Sequence, residues 1–116
     1  MADFITYTLS AEADNAITRY IPVPYRCVVL GAKCVADYEA GDTTTVIINN
    51  GDTAQVTMTL AATSLAAVCI GVKSATTIYE AGTAIKIDVI ADAGSAAGTI
   101  TIMIAIDPFL AGVAST

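Results

Sequence analysis

The sequence predicts an all-β chain: a single-domain antiparallel β-sandwich of the jelly-roll type, with about eight strands. Runs in which apolar β-branched residues alternate with small or polar ones recur from end to end. Clusters of Gly, Asp, Asn and Pro separate these runs at intervals of about 8–12 residues. No stretch carries a convincing helical period, and 116 residues suffice for one domain but not two.

Residues 4–9 form the first alternating run, with Ile5, Tyr7 and Leu9 on one face, and a polar acidic segment follows at 10–15. Residues 1–16 therefore read as a first strand or an extended arm, tied down by the aromatic pair Phe4 and Tyr7. The sandwich proper is expected over 17–108, with a short apolar tail at 109–116. A second strand at 16–23 sets Ile17, Arg19 and Ile21 against Thr18 and Tyr20. Pro22-Val23-Pro24 ends it, because proline lacks an N–H and cannot continue a central ladder. Residues 25–37 are almost continuously apolar, which predicts burial on both faces, and Gly31 inside the run marks a bulge or a close backbone approach.

Glu39-Ala40-Gly41-Asp42 is a turn, and a weaker alternation over 43–49 sets Val46 and Ile48 against Thr45 and Ile47. Asn49-Asn50-Gly51-Asp52 is a strong hairpin signal, since both central residues of a type I′ turn need positive φ. Residues 53–60 alternate cleanly, with Ala54, Val56, Met58 and Leu60 assigned to the core and Thr53, Gln55, Thr57 and Thr59 to solvent. The segment 61–71 fits either a helical turn or a strand, and is read as a loop with one short turn followed by a strand. Tyr79-Glu80-Ala81-Gly82 repeats the tetrapeptide at 38–41 and marks another turn. The last unit runs over 83–91 and 99–107, with Asp92-Ala93-Gly94-Ser95-Ala96-Ala97-Gly98 between. Ile85, Ile87 and Val89 share one face of its first strand, and Ile100, Ile102, Ile104 and Ile106 one face of its second. This reads as a closing hairpin whose apolar face packs on a second sheet.

Composition narrows the function classes. Hydrophobic residues make up 55% of the chain and charged residues 14%, which is apolar for a domain with so high a surface-to-volume ratio. Two explanations compete: the excess is alanine tolerated on the surface, or it covers subunit or partner interfaces, which is the reading preferred. Net charge is −6, without a basic stripe, so no nucleic-acid footprint is present. No apolar run is long enough for a helical membrane span. The start of the chain lacks the basic and long apolar regions of an export signal, so synthesis in the cytoplasm is expected. Cys27, Cys34 and Cys69 are expected to be free buried thiols. In one continuous strand Cys27 and Cys34, seven positions apart, face opposite sides and lie roughly 23 Å apart, too far to bridge.

The residues for catalysis are not assembled. Histidine is absent, which removes Ser-His-Asp and Cys-His arrangements and, without a Cys-x-x-Cys, zinc. Lys33, Lys73 and Lys86 have no recognisable companion serine motif, and no phosphate loop opens a helix. Carboxylate pairs drawn from Asp37, Glu39, Asp42, Glu80, Asp88 and Asp107 fall in turns or on solvated faces. Calcium held by Asp88, Asp92 and Asp107 would need convergent loop oxygens, and the spacing resembles no EF-hand. A tyrosine platform for sugars would use Tyr20, Tyr25 and Tyr38; packing is the plainer use of these rings. The expectation is a protein that is not an enzyme and needs no cofactor or metal.

The hairpin Asn49-Asn50-Gly51-Asp52, the strand Ala81-Gly82-Thr83-Ala84-Ile85-Lys86-Ile87-Asp88-Val89 and the segment Gly94-Ser95-Ala96-Ala97-Gly98-Thr99-Ile100-Thr101-Ile102 carry a family likeness. Here the chain resembles the small jelly-roll decoration (cement) proteins of tailed-bacteriophage heads. The likeness spans roughly residues 28–107, and Gly82-Thr83 stands where Gly-Asp is usual in that family. The resemblance implies a structural virion protein that binds the outer surface of an assembled capsid and bridges coat subunits. Its implied partners are the major capsid protein and further copies of itself, as a dimer or trimer, and its implied location is the capsid surface. Related modules bind carbohydrates or receptors on phage tails and surface structures, which is the alternative function. Phe4, Tyr7 and Phe109 are the candidate partner-binding residues, because aromatic anchors dominate interface energetics.

Overall fold

The computed structural model describes residues 3–11, 16–37, 44–60, 68–91 and 98–108. They form β1 (Asp3–Ala11), β2 (Ala16–Pro22), β3 (Cys27–Ala36), β4 (Thr44–Asn50), β5 (Thr53–Leu60), β6 (Val68–Ile70), β7 (Val72–Lys73), β8 (Ile78–Tyr79), β9 (Ala84–Ala91) and β10 (Gly98–Pro108). The expected all-β sandwich is what the chain builds, with short strands β6, β7 and β8 raising the number to ten. Two five-stranded sheets face each other, the first ordered β1-β10-β3-β6, with β8 also on β3, and the second β2-β9-β4-β5-β7. Every ladder is antiparallel. With the two-residue strands β7 and β8 set aside, this order is the double Greek key of a jelly roll.

The closing unit is not a hairpin. β9 pairs with β2 and β4 in the second sheet, and β10 pairs with β1 and β3 in the first. Each carries a row of buried side chains, and the two rows line the core from opposite walls. As central strands of separate sheets, β9 and β10 supply both walls of one core. Ile85, Ile87, Ile100, Ile102, Ile104 and Ile106 are all fully buried. Each such side chain contributes about 1.5–3 kcal/mol through burial. The connection between β9 and β10 lies outside the described residues, as do residues 61–67 of the segment expected to begin as a loop and the turn expected at 39–42.

Two bulges adjust the alternation read from the sequence. The β3–β10 register shifts between Ala105 and Ile106, so that Ala105 faces Gly31 and Ile106 faces Val29, with Leu30 the extra residue. The bulge expected at Gly31 thus sits beside it. Its effect is to switch parity: Cys27 and Val29 point inward before it, and Ala32, Cys34 and Ala36 after it. Cys27 and Cys34 consequently share the core face rather than lying on opposite faces, and the outer face of β3 is part-exposed rather than fully buried.

The second bulge lies between Ile48 and Asn49, where Ile48 faces Val56 and Asn49 faces Ala54, leaving Gln55 extra. Gln55, expected in solvent, is fully buried, and Ala54, expected in the core, is only half-buried. The Gln55 amide is satisfied locally: Nε2 donates to Thr53 O at 3.1 Å, and Oε1 accepts from the Thr77 N–H at 2.8 Å. Gln55→Ala should cost about 1–3 kcal/mol, because it leaves the Thr77 N–H without that acceptor. A urea titration checks this, and a midpoint equal to the parent's would show that the amide is not used. The Asn-Gly signal does mark the β4–β5 hairpin, one residue out of phase. Asn50 pairs with Thr53, and the loop is Gly51-Asp52, with Gly51 at φ 61°. At the second turn the Thr83 N–H bonds Glu80 O at 3.2 Å and Gly82 has φ 88°, as the third position of a type II turn requires.

β1 is a full strand, paired with β10 from Asp3↔Ile106 to Ala11↔Gly98. Leu9 is buried, and Ile5 and Tyr7 pack against the core.

Candidate functional site: the outer face of the first sheet

The two sheets present different surfaces. On the second, the outward side chains make a polar lattice. Asp88 accepts from the Thr18 hydroxyl at 2.7 Å and from Asn49 Nδ2 at 2.8 Å, so β2, β9 and β4 are tied together across the face. Lys86 lies 3.9 Å from Asp52 on the same side. Outside this lattice the same face exposes Tyr20, Ile90 and Val72.

On the first sheet, strand register sets three outward cross-strand rows side by side in its middle: Phe4–Ala105–Gly31, then Thr6–Met103–Lys33–Ile70, then Thr8–Thr101–Val35–Val68. Phe4 is 64% exposed, Val68 60% and Ile70 76%, so large apolar side chains stand at both lateral margins. Lys33 is the single charged residue in these rows. Two shallow grooves separate the rows. One, of about 180 Å³, is lined by Phe4, Gly31, Met103 and Ile70; the other, of about 200 Å³, by Thr6, Val35, Val68 and Thr101. Met103 and Lys33 form the ridge between them and line both. Gly31 makes the first groove by omission, since a Cβ there would meet nothing within 4 Å.

The expected anchor residues separate. Phe4 lies on this outer face, whereas Tyr7, three positions along the strand, points the other way and packs against the core. Phe109 lies outside the described residues. Val68, Ile70 and Met103 carry no site signal in the sequence. Val68 and Ile70 lie in the segment that fits either a helical turn or a strand, and the alternation around Met103 says only that it faces away from the isoleucines.

The other candidates disperse. Asp88 is committed to Thr18 and Asn49 in the second sheet, Asp107 lies on β10 in the first, and Asp92 is outside the described residues. Among the described residues no group of three or more His, Cys, Asp or Glu is placed to hold a metal ion. Tyr20 is 64% exposed on β2, while Tyr25 is half-buried with its hydroxyl donating to Asp3. Tyr38 is outside the described residues. Lys73 Nζ donates to Ala75 O at 2.8 Å and to the Thr76 hydroxyl. Burial pushes the Lys73 ammonium below its ordinary range. All three cysteines are free, Cys27 and Cys34 buried and Cys69 half-buried. Burial raises the thiol of Cys27, and burial together with the neighbouring Cys69 pushes that of Cys34 up to about 12. Tyr79, opposite Cys27 on β8, is also held protonated by burial.

What fold and surface define together is a jelly-roll sandwich whose two outer faces both expose large apolar side chains, with a grooved row pattern on the first sheet and a hydrogen-bonded carboxylate on the second. No family model matches the sequence, and no curated protein does. Among solved structures the chain is similar to one from Bacillus endospore appendages, which are described as a novel family of disulfide-linked pili. The match has a TM-score of 0.51 at 13% identity, and covers 94% of this chain and 88% of that one. The likeness is one of fold, to a structural protein.

Proposed function

We propose that this chain is a structural subunit of a multi-copy surface assembly, and that it acts by docking to another copy of itself through the outer face of β1-β10-β3-β6. The observation that carries the reading is the grooved apolar surface of Phe4, Met103, Val68 and Ile70, in which Lys33 is the one charged residue of its three rows. Exposed apolar patches of this kind are what interfaces cover. The pilus neighbour adds the precedent of this fold in a polymeric appendage. No chemistry is required of such a subunit, so a non-enzymatic role is part of the proposal.

Decoration of an assembled phage capsid is the second reading. It is favoured by the likeness at 49–52 and 81–102, which falls on the β4–β5 hairpin and on β9 and β10. A partner that binds only the assembled shell stabilises that shell by mass action. Carbohydrate binding has less support, because Tyr25 packs against the core and Tyr20 is the exposed ring of the two.

Sedimentation of the purified chain tests the proposal. The parent should form dimers or larger species, and Phe4→Glu with Ile70→Glu should shift it to monomer by ten-fold or more in dissociation constant, with an unchanged melting curve. A parent that stays monomeric but pellets with intact capsids would replace self-docking with decoration. A monomer that pellets with neither would overturn both.

A further inference from the structure

Cys34 and Cys69 are direct partners in the β3–β6 ladder. Both point toward the interior, between outward-facing neighbours Lys33, Val35, Val68 and Ile70. Two positions along, the Gly71 N–H donates to Ala32 O at 2.9 Å. That bond makes Cys34–Cys69 another hydrogen-bonded pair of the ladder, a class whose Cα atoms lie about 5.5 Å apart. This is inside the range of about 4.4–6.8 Å that a disulfide spans. The Cys69 thiol is near enough to help push the pKa of Cys34 up. Cys69 also donates to Thr59 O on β5 at 3.0 Å, which holds its sulfur on the inner side.

We infer that Cys34 and Cys69 are a site of intrachain cross-strand disulfide formation, closed by a small-molecule disulfide oxidant, that fastens β6 to β3. Access gives the order of events. Cys69, half-buried at the sheet margin, meets the oxidant first; its thiolate attacks the oxidant disulfide and releases one thiol. The Cys34 sulfur then displaces the second thiol from the mixed disulfide. Overall two protein thiols lose two hydrogens, one S–S bond forms, and the oxidant's S–S bond is reduced to two thiols. The high pKa of Cys34 makes the second step slow near neutrality and faster as pH rises. Cys27 stays outside this exchange, since it is fully buried and faces Tyr79.

The effect falls on a weak part of the fold. β6 contributes only three residues to its sheet. The bridge closes a loop of about 36 residues and stabilises the chain by restricting its unfolded state. The experiment treats the reduced full-length chain with oxidised glutathione and follows intact mass, denatured thiol count and melting temperature. Titratable thiols should fall from three to one. A peptide map should join Cys34 to Cys69, and melting should rise by about 10 °C and fall back on reduction. Cys34→Ala and Cys69→Ala should each abolish the rise, and Cys27→Ala should keep it. A persistent glutathione adduct on Cys69, an interchain Cys69 dimer, or three thiols still free after prolonged treatment would each overturn the inference.

Discussion

Ile102→Asp yields a chain that does not reach the folded state. Ile102 is fully buried at the middle of β10, between Tyr7 on β1 and Cys34 on β3, and faces the opposing sheet. The buried polar residues among those described are Thr44, Asn49 and Gln55, none of them a cation, so an aspartate there meets no opposite charge. A carboxylate in such a place either protonates or drags water inward, and both cost several kcal/mol on top of the lost isoleucine contacts. Against a total stability of about 5–15 kcal/mol, that removes most or all of the margin. Circular dichroism and a thermal melt should show loss of the cooperative β transition. Ile102→Val keeps shape and polarity and should cost only about 0.5–1.5 kcal/mol. A soluble Ile102→Asp protein that melts like the parent would mean that this row does not face the core.

Much of this core is legible as period-two alternation. The rows Ile85, Ile87, Val89 and Ile100, Ile102, Ile104, Ile106 are inward as the pattern requires. What alternation leaves open is the identity of the neighbour. The spacing of β9 and β10 fits a hairpin as well as a crossing from one sheet to the other, and only the packing of both rows into one interior separates the two. Bulges are legible in part: Gly31 flags one, but nothing in Thr53-Ala54-Gln55-Val56 announces that a glutamine takes an extra position and turns inward. The outer face of the first sheet is less legible still. Its members come from β1, β10, β3 and β6, far apart in the chain, and they meet only through register. Phe4 stands out as an anchor because aromatic residues near a chain end are conspicuous; Val68 and Ile70 give no such signal within an apolar, alanine-rich segment.

The strand crossing at Gly71 should not accept an added side chain without loss of stability. Gly71 lies between β6 in the first sheet and β7 in the second, where the chain passes over the rim of the sandwich. A Cβ added there would stand 2.2 Å from Val56 Cγ1, 2.9 Å from Ala32 O and 3.0 Å from Met58 Cγ. Val56 and Met58 are fully buried, and Ala32 O is the acceptor of Gly71's own N–H. The backbone oxygen cannot rotate aside, and a short valine has no slack, so relief requires the crossing to lift and the hydrogen bond to stretch. Overpacking of this kind costs about 1–3 kcal/mol for one methyl group, and Gly71→Val should exceed Gly71→Ala. Gly31→Ala is the internal control: it adds the same methyl group into open space and should stay within about 0.5 kcal/mol of the parent. Combining Gly71→Ala with Val56→Ala removes the nearest clash, so the pair should be less destabilising than the sum of the two single changes. Equilibrium unfolding of the four proteins decides it. Strict additivity, or a Gly71→Ala chain as stable as the parent, would show that the approach of the crossing strand to Val56 is not close enough to demand glycine.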